Sequence, residues 1–219
     1  SSTPDDTQKE SSPDQAPEQR AEQEQLLFSD VPIHHEYREE IETLVNEGLL
    51  TACDYRTGRF CPDEQVTWLD MAVISLRAEH GPDYLPPAVA EFQMEGLDAD
   101  TQGAFWIEQY YRDGFLDETL AQNHLVAPSA SVMRMDAAIL LLQLMHGAGY
   151  IPTPAETAHD DVPGDAWYRD SLAEAGMLNL LPACSDEYPD RLCPRQTLSR
   201  ADAAAALYAV LEYDGAASD

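Results

Sequence analysis

The sequence has almost no lysine, no long apolar run and none of the short motifs that mark common enzyme sites. Lys9 is the single lysine among twelve basic residues, against 41 acidic ones, so the formal charge is −29. Such an acidic chain does not bind nucleic acid or an anionic membrane by bulk attraction. No stretch reaches the roughly 18 apolar residues that predict a transmembrane helix. Because GxSxG, P-loop and HExxH motifs are also missing, nothing indicates an enzyme or a cofactor.

The N-terminal segment 1–26 lacks aromatic side chains and is dominated by Ser, Pro, Gln, Asp and Glu. It cannot bury enough apolar surface to offset the entropy of ordering, which predicts a disordered acidic linker over 1–26. The alternative is a tail with no role beyond solubility. Since the chain starts at Ser1 with no Met and no signal peptide, we expect a mature or excised product.

The remaining chain is organised by a motif that occurs three times at a constant interval. Each copy has an apolar residue, a Pro two places on, an apolar residue four further and an Asp four beyond that. The copies run over 60–72, 126–138 and 192–204. An interval this long indicates repeated supersecondary units. We predict three repeats, at 27–90, 91–157 and 158–214, followed by a tail at 215–219.

Each repeat has the pattern of a helix, a loop and a second helix, which predicts an all-α fold. In the first repeat an apolar stripe predicts a helix over about 34–47, with Gly48 as its left-handed end. The second helix, over about 67–79, is apolar on more than one side and is expected at the centre of the molecule. Two pairs have the spacing of a capping box at the start of this second helix: Thr67 with Asp70, and Ser199 with Asp202.

The four cysteines form two local pairs, Cys53 with Cys61 and Cys184 with Cys193. The middle repeat has no cysteine at either equivalent place, so both members of the pair are present or absent together. This pattern favours two local disulfides, and hence an oxidising, extracytoplasmic compartment. The alternative is a zinc site, which would need all four sulfurs to converge and lacks CxxC spacing.

Two other stretches have some features of a metal site. Residues 98–103 resemble the start of a calcium-binding EF-hand loop, but Gln109 stands where the bidentate Glu is required. Residues 34–36 (His-His-Glu) are adjacent on a helix and therefore point apart. We expect an ordinary acidic turn and no metal.

The motifs resemble S-layer homology repeats, three in tandem, over about 27–213. Residues 28–32 (Phe-Ser-Asp-Val-Pro) match the start of the family pattern, and Cys61-Pro62-Asp63 matches its disulfide-bearing branch. Residues 161–163 (Asp-Val-Pro) and 198–202 (Leu-Ser-Arg-Ala-Asp) match it in the third repeat. The middle repeat lacks the Asp-Val-Pro start and matches around 106–114 and in its second half.

The resemblance implies a three-pronged spindle with pseudo-threefold symmetry, in which the second helices form a central three-helix bundle. It also implies grooves between the prongs that bind a bacterial envelope polysaccharide, often a pyruvylated one, and so anchor proteins at the cell surface. In the family an Arg at the start of the central helix contacts the anionic sugar, which fits a fork-shaped donor for a carboxylate.

By position, that arginine corresponds to Arg134 and Arg200, whereas the first repeat has Trp68. Trp68 either stacks on a sugar or packs in the core. The other residues predicted to bind glycan are Asp30, Asp161 and Trp167. The alternative to a glycan-binding anchor is a secreted protein-interaction or assembly subunit that keeps the fold and binds an extracellular protein.

Overall fold

The computed structural model describes residues 27–54, 56–116, 120, 127–154, 159–184, 187–188 and 191–216, and of residues 214–216 only the backbone. The predicted linker at 1–26 lies outside the described residues, as do residues 217–219 of the predicted tail. Residues 215 and 216 continue the last helix.

Six helices form in the described ranges, and the extended segments there make only isolated bridges, so the fold is all-α as predicted. Short and long helices alternate: α1 Arg38–Asn46, α2 Trp68–His80, α3 Ala104–Arg112, α4 Arg134–His146, α5 Arg169–Met177 and α6 Arg200–Ala216. None of them combines the length and the apolar content that a bilayer-spanning helix requires.

The three long helices begin at equal spacing along the chain, and the short segment before each one is joined to the others by backbone hydrogen bonds. Val66 donates to Leu198 at 2.9 Å, Leu198 donates to Val132 at 3.0 Å, and Val132 donates to Val66 at 3.0 Å. These extended residues have no partners within their own helices, so their polar groups are satisfied across the repeats. The result is a closed ring of three hydrogen bonds that holds the starts of the long helices together.

Each short helix packs on a long helix of a different repeat. Helix α3 contacts α2, α5 contacts α4, and α1 contacts α6, while α4 also contacts α6. The first helix therefore packs on the last one, and the two ends of the folded chain meet. Helix α6 contributes small side chains to three hydrophobic clusters, with Ala203 in one, Ala206 in a second and Ala204 in a third.

The predicted caps of the long helices form in the first and third repeats. The Thr67 hydroxyl accepts from the Asp70 N–H at 3.1 Å, and the Asp70 carboxylate accepts from the Thr67 N–H at 2.9 Å. Ser199 and Asp202 make the same reciprocal pair. Helix α4 has no side-chain cap at Met133, as expected from the missing hydroxyl.

Both predicted disulfides are present, Cys53–Cys61 and Cys184–Cys193, and no described cysteine is free. Each closes a short loop between the first and second helix of its repeat. This confirms the local pairing and removes the sulfurs as zinc ligands. Two structural disulfides in a chain of this size are typical of an extracytoplasmic protein.

A buried carboxylate organises the start of the second repeat. Glu108 on α3 is fully buried and accepts backbone N–H bonds from Gln93 and Met94 at 2.9 and 3.1 Å. Arg112 donates to the same carboxylate at 2.6 Å. Burial opposes ionisation of Glu108, but these donors hold its pKa below the usual value. The segment before α3 is thus held by polar contacts rather than by an Asp-Val-Pro start.

Candidate functional site

Each long helix begins at the same position of the repeated motif, which holds Trp68, Arg134 and Arg200 in the three repeats. We call these three residues the column. All three side chains are buried, with 2%, 2% and 7% of their surface exposed. Because the helix starts are joined in a ring, each side chain points towards a loop of a neighbouring repeat. The column is therefore placed to fix loops, and none of its three side chains is readily accessible to a ligand.

Arg200 connects the third repeat to the loop of the first. Its Nε donates to the Phe60 carbonyl at 3.0 Å, its Nη2 to the Thr51 carbonyl at 2.7 Å, and its Nη1 to Asp70 at 3.1 Å. The guanidinium carbon also lies 4.9 Å from the centre of the Phe60 ring. All three nitrogens of the fork are thus engaged within the protein.

Arg134 makes the corresponding connection from the second repeat to the third. Its Nε donates to the Leu192 carbonyl at 2.9 Å, and its Nη2 donates to the Pro182 carbonyl. Burial lowers the pKa of Arg134, although nearby acidic groups oppose that shift. A glycan contact through Nε or Nη2 would require that nitrogen to leave its carbonyl partner.

Trp68 occupies the same position in the first repeat but has no charged fork. It lies in the largest hydrophobic cluster together with Phe115, Leu116 and Leu120, which come from the loop of the second repeat. With 2% of its surface exposed, its ring has no face open to a sugar. The structure therefore favours the packing alternative for Trp68.

Asp30 and Asp161 hold the disulfide loops. Asp30 accepts from the backbone N–H groups of Phe60 and Cys61, each at 2.8 Å, and Asp161 accepts from Cys193 at 2.7 Å. Burial opposes ionisation of Asp30, but the two N–H donors hold its pKa below the usual value. The Asp of each Asp-Val-Pro start thus caps a loop. Among the predicted glycan-binding residues, Trp167 has an accessible ring, 39% exposed, set edge-on to a neighbouring tyrosine.

A groove between the first and second repeats has a volume of about 600 Å³. Its walls come from residues 49–51 after α1, one face of α2, the connector at 85–86 and the start of α3. Its apolar lining includes Leu69, Val73, Leu85, Phe105 and Trp106. Of the six residues predicted to bind glycan, Arg200 alone lines this groove, at its floor beside Asp70.

Two side chains that do not line the groove contact the Trp106 ring. Tyr84 meets the Trp106 ring edge-on with the ring centres 6.2 Å apart, and the Arg77 guanidinium lies 5.8 Å from the centre of that ring. Trp106 is not among the residues predicted to bind glycan. The sequence does contain a sign that it is special, since the equivalent position in the first repeat holds the charged Glu40 and the repeat pattern does not require a Trp there.

In the acidic turn at 98–103, the Asp98 carboxylate accepts hydrogen bonds from the turn itself. Asp98 accepts from the backbone N–H groups of Asp100 and Thr101 at 3.0 and 2.9 Å. Gly103 ends the turn in the left-handed conformation, at φ +81°, directly before α3. The turn positions the start of α3, which forms one wall of the groove.

A scan against protein-family models finds no match to the chain, and a search of curated proteins finds no significant match either.

Proposed function

We propose that the chain is a non-catalytic envelope-anchoring module that binds a surface polysaccharide in the groove between its first and second repeats. The observation that carries this proposal is the groove itself, with Trp106, Phe105 and Leu85 on its walls and the Arg200–Asp70 pair on its floor. An apolar wall with an aromatic ring suits the flat face of a pyranose, and a polar floor suits its hydroxyl groups.

The proposal includes the three-pronged spindle. In this arrangement α2, α4 and α6 form the central bundle, and α1, α3 and α5 form the prongs. The ring of hydrogen bonds among Val66, Val132 and Leu198 supports it. The cyclic packing of each short helix on a long helix of another repeat supports it too.

The groove favours an uncharged sugar over the anionic one that the resemblance implies. Arg200 already donates to two carbonyl groups, and its charge is balanced by Asp70. A carboxylate on the ligand would have to displace these partners. It would also approach a chain with a formal charge of −29, whose repulsion is reduced only by salt.

The test is sedimentation of the purified chain with bacterial cell walls. Arg134 and Arg200 are unsuitable probes, because removing either one disturbs a loop as well as any ligand. Leu85 is 74% exposed on the groove wall, so Leu85→Asp introduces a charge there without disturbing the core. Ile151 is the matched control, since it occupies the same place in the next connector, is 85% exposed and is not part of this groove.

We expect Leu85→Asp to weaken wall binding at least about tenfold, the equivalent of losing roughly 1.4 kcal/mol of contact energy. Ile151→Asp should bind as the wild type does. Equal binding by both variants, or an equal loss in both, would rule out this groove as the glycan site.

The second candidate function is a protein-interaction subunit. It is favoured by the burial of Arg134 and Arg200, whose guanidinium groups bond to carbonyl groups of the protein, and by the strongly exposed Leu85 and Ile151. Binding to cell walls from which the proteins have been removed distinguishes the two functions. Retention on stripped walls supports the glycan proposal, whereas binding that disappears with the wall proteins supports the alternative.

A further inference from the structure

Three potential metal-ligand side chains meet where α2 and α3 end. They are Glu79 and His80 from the last turn of α2 and Asp113 directly after α3. His80 Nε2 lies 3.2 Å from Asp113 Oδ2 and 3.9 Å from Glu79 Oε2. All three ligand atoms lie within 4.8 Å of one another.

These separations suit a small cation. A tetrahedral ion with bonds of about 2.1 Å places neighbouring ligand atoms about 3.4 Å apart. The observed contacts of 3.2 and 3.9 Å bracket that value, so the ion requires only small side-chain movements. The side chains are 22% to 47% exposed, which leaves a path for the ion and room for water to complete its coordination.

Two of the three ligands are oriented by neighbours that are not ligands themselves. Gln109 Nε2 donates to Asp113 Oδ1 at 2.7 Å, which leaves Oδ2 turned towards His80. The imidazole of His80 is held by the Tyr84 ring, with the ring centres 4.5 Å apart. Such outer contacts are typical of protein metal sites, where they fix the direction of a ligand before the ion arrives.

The peptide dipoles of α2 and α3 also favour a cation at this point. His80 is the last residue of α2, and Asp113 follows the last residue of α3. Helix C-termini carry partial negative charge, so two of them converging on one point attract a cation.

We propose that Glu79, His80 and Asp113 form a binding site for a divalent transition-metal ion such as Zn²⁺. One imidazole nitrogen with two carboxylates favours this class over Ca²⁺ and Mg²⁺, which take oxygen ligands. The ion links the long helix of the first repeat to the short helix of the second. Because the ligands come from two repeats, binding stabilises the packing of α3 on α2. None of the three ligands lines the glycan groove, although Tyr84 contacts both His80 and the Trp106 ring of the groove wall.

The next repeat contains a natural comparison. His146 ends α4 as His80 ends α2, and its ring contacts Tyr150 with the centres 4.3 Å apart. Met145 stands in the place of Glu79, however, and the Glu174 carboxylate lies 4.0 Å from His146 Nε2 and accepts a bond from Tyr150. This second cluster offers two metal ligands instead of three, so we expect it to bind the ion much more weakly.

The test is calorimetric titration of Zn²⁺ into the untagged, disulfide-intact chain near neutral pH. We expect one saturable site with micromolar affinity and no comparable site for Ca²⁺. His80→Gln and Asp113→Asn should each weaken binding at least about tenfold, because a ligand from each helix is lost. His146→Gln should bind Zn²⁺ as the wild type does.

Thermal melting provides a second readout. Zn²⁺ should raise the melting temperature of the wild type and of His146→Gln, but not that of His80→Gln, because an ion that binds only the folded chain stabilises it. The exposed position of His80 leaves the fold of this variant intact, and circular dichroism checks that. The proposal is overturned if Zn²⁺ does not saturate in the micromolar range, if Ca²⁺ binds as well, or if His80→Gln keeps the wild-type affinity.

Discussion

Replacing Arg200 by Met should destabilise the chain, although the side chain stands in the position that the family resemblance assigns to ligand binding. Methionine retains much of the length and apolar volume of the arginine stem but removes all three hydrogen bonds of the guanidinium. The Phe60 and Thr51 carbonyl groups lose their donors, and Asp70 loses its ion pair.

The magnitude follows from the burial of each partner. Phe60 is fully buried, so its carbonyl left without a donor costs about 2 kcal/mol. Thr51 is only half-buried and regains some solvation, so we assign it about 1 kcal/mol. The Asp70 side chain is 30% exposed, and a pair of that kind contributes less than about 1 kcal/mol. The total is a loss of about 3 kcal/mol.

Urea unfolding measures this loss, followed by circular dichroism and by fluorescence of the three tryptophans with the disulfides intact. Arg195→Met is the matched control, because Arg195 is an exposed arginine five residues before Arg200 in the same repeat. It should change the stability by no more than about 0.5 kcal/mol. Arg134→Met should resemble Arg200→Met, since it also frees two carbonyl groups.

A loss in Arg200→Met no larger than that in Arg195→Met would refute the loop-fixing role of the buried arginines. The result also bears on any binding experiment. If both buried arginines stabilise loops, then lost wall binding in an Arg134 and Arg200 double variant is no proof of a glycan contact.

Three further predictions concern the pH dependence and the loops. The depressed pKa of Glu108 stabilises the fold above the usual value near 4.5, and this stabilisation is lost as the pH falls through the lower, folded pKa. Glu108→Gln should therefore flatten the fall of the urea midpoint below about pH 5, and an unchanged profile would contradict the account. The Cys53→Ser, Cys61→Ser double variant should lose about 2.5 kcal/mol, the chain-entropy value for a loop of about nine residues, as measured by urea unfolding. A stability equal to the wild type would show that the first disulfide is dispensable. Gly48→Ala should cost at least about 1 kcal/mol more than Gly58→Ala, since both have positive φ but a Cβ at Gly48 would lie 2.8 Å from a proline. Equal melting temperatures for the two glycine variants would mean that the chain relaxes around the added Cβ.

Local signals in the sequence predict most of the helices correctly. The hydroxyl–acid pairs at 67–70 and 199–202 mark the starts of two long helices, and both caps form. Gly48 ends the first helix in the left-handed conformation, as predicted. The predicted start of α1, at about 34, is too early, because residues 34–37 form turns before the helix begins at Arg38.

The site was harder to predict than the helices. The sequence singles out Trp68, Arg134 and Arg200 as the position of the motif that could bind a ligand. It does not indicate that all three side chains are buried. Burial depends on the loops of other repeats, from which the carbonyl partners of the arginines come. Sequence spacing carries no information about those contacts, so the groove and Trp106 were not assigned.

The sequence alone determined the all-α class, the constant interval between the motifs, the two disulfide pairs and the helix caps, because each depends on residues close together in the chain or repeated in register. The tertiary structure alone decided which side chains are accessible and which donors meet. Arg200 reaches a carbonyl group 149 positions away, and Asp113 comes to lie beside His80 from a different helix. Such contacts arise when helices from different repeats pack, and for that reason the polar floor of the groove and the proposed metal site became visible only in the folded chain.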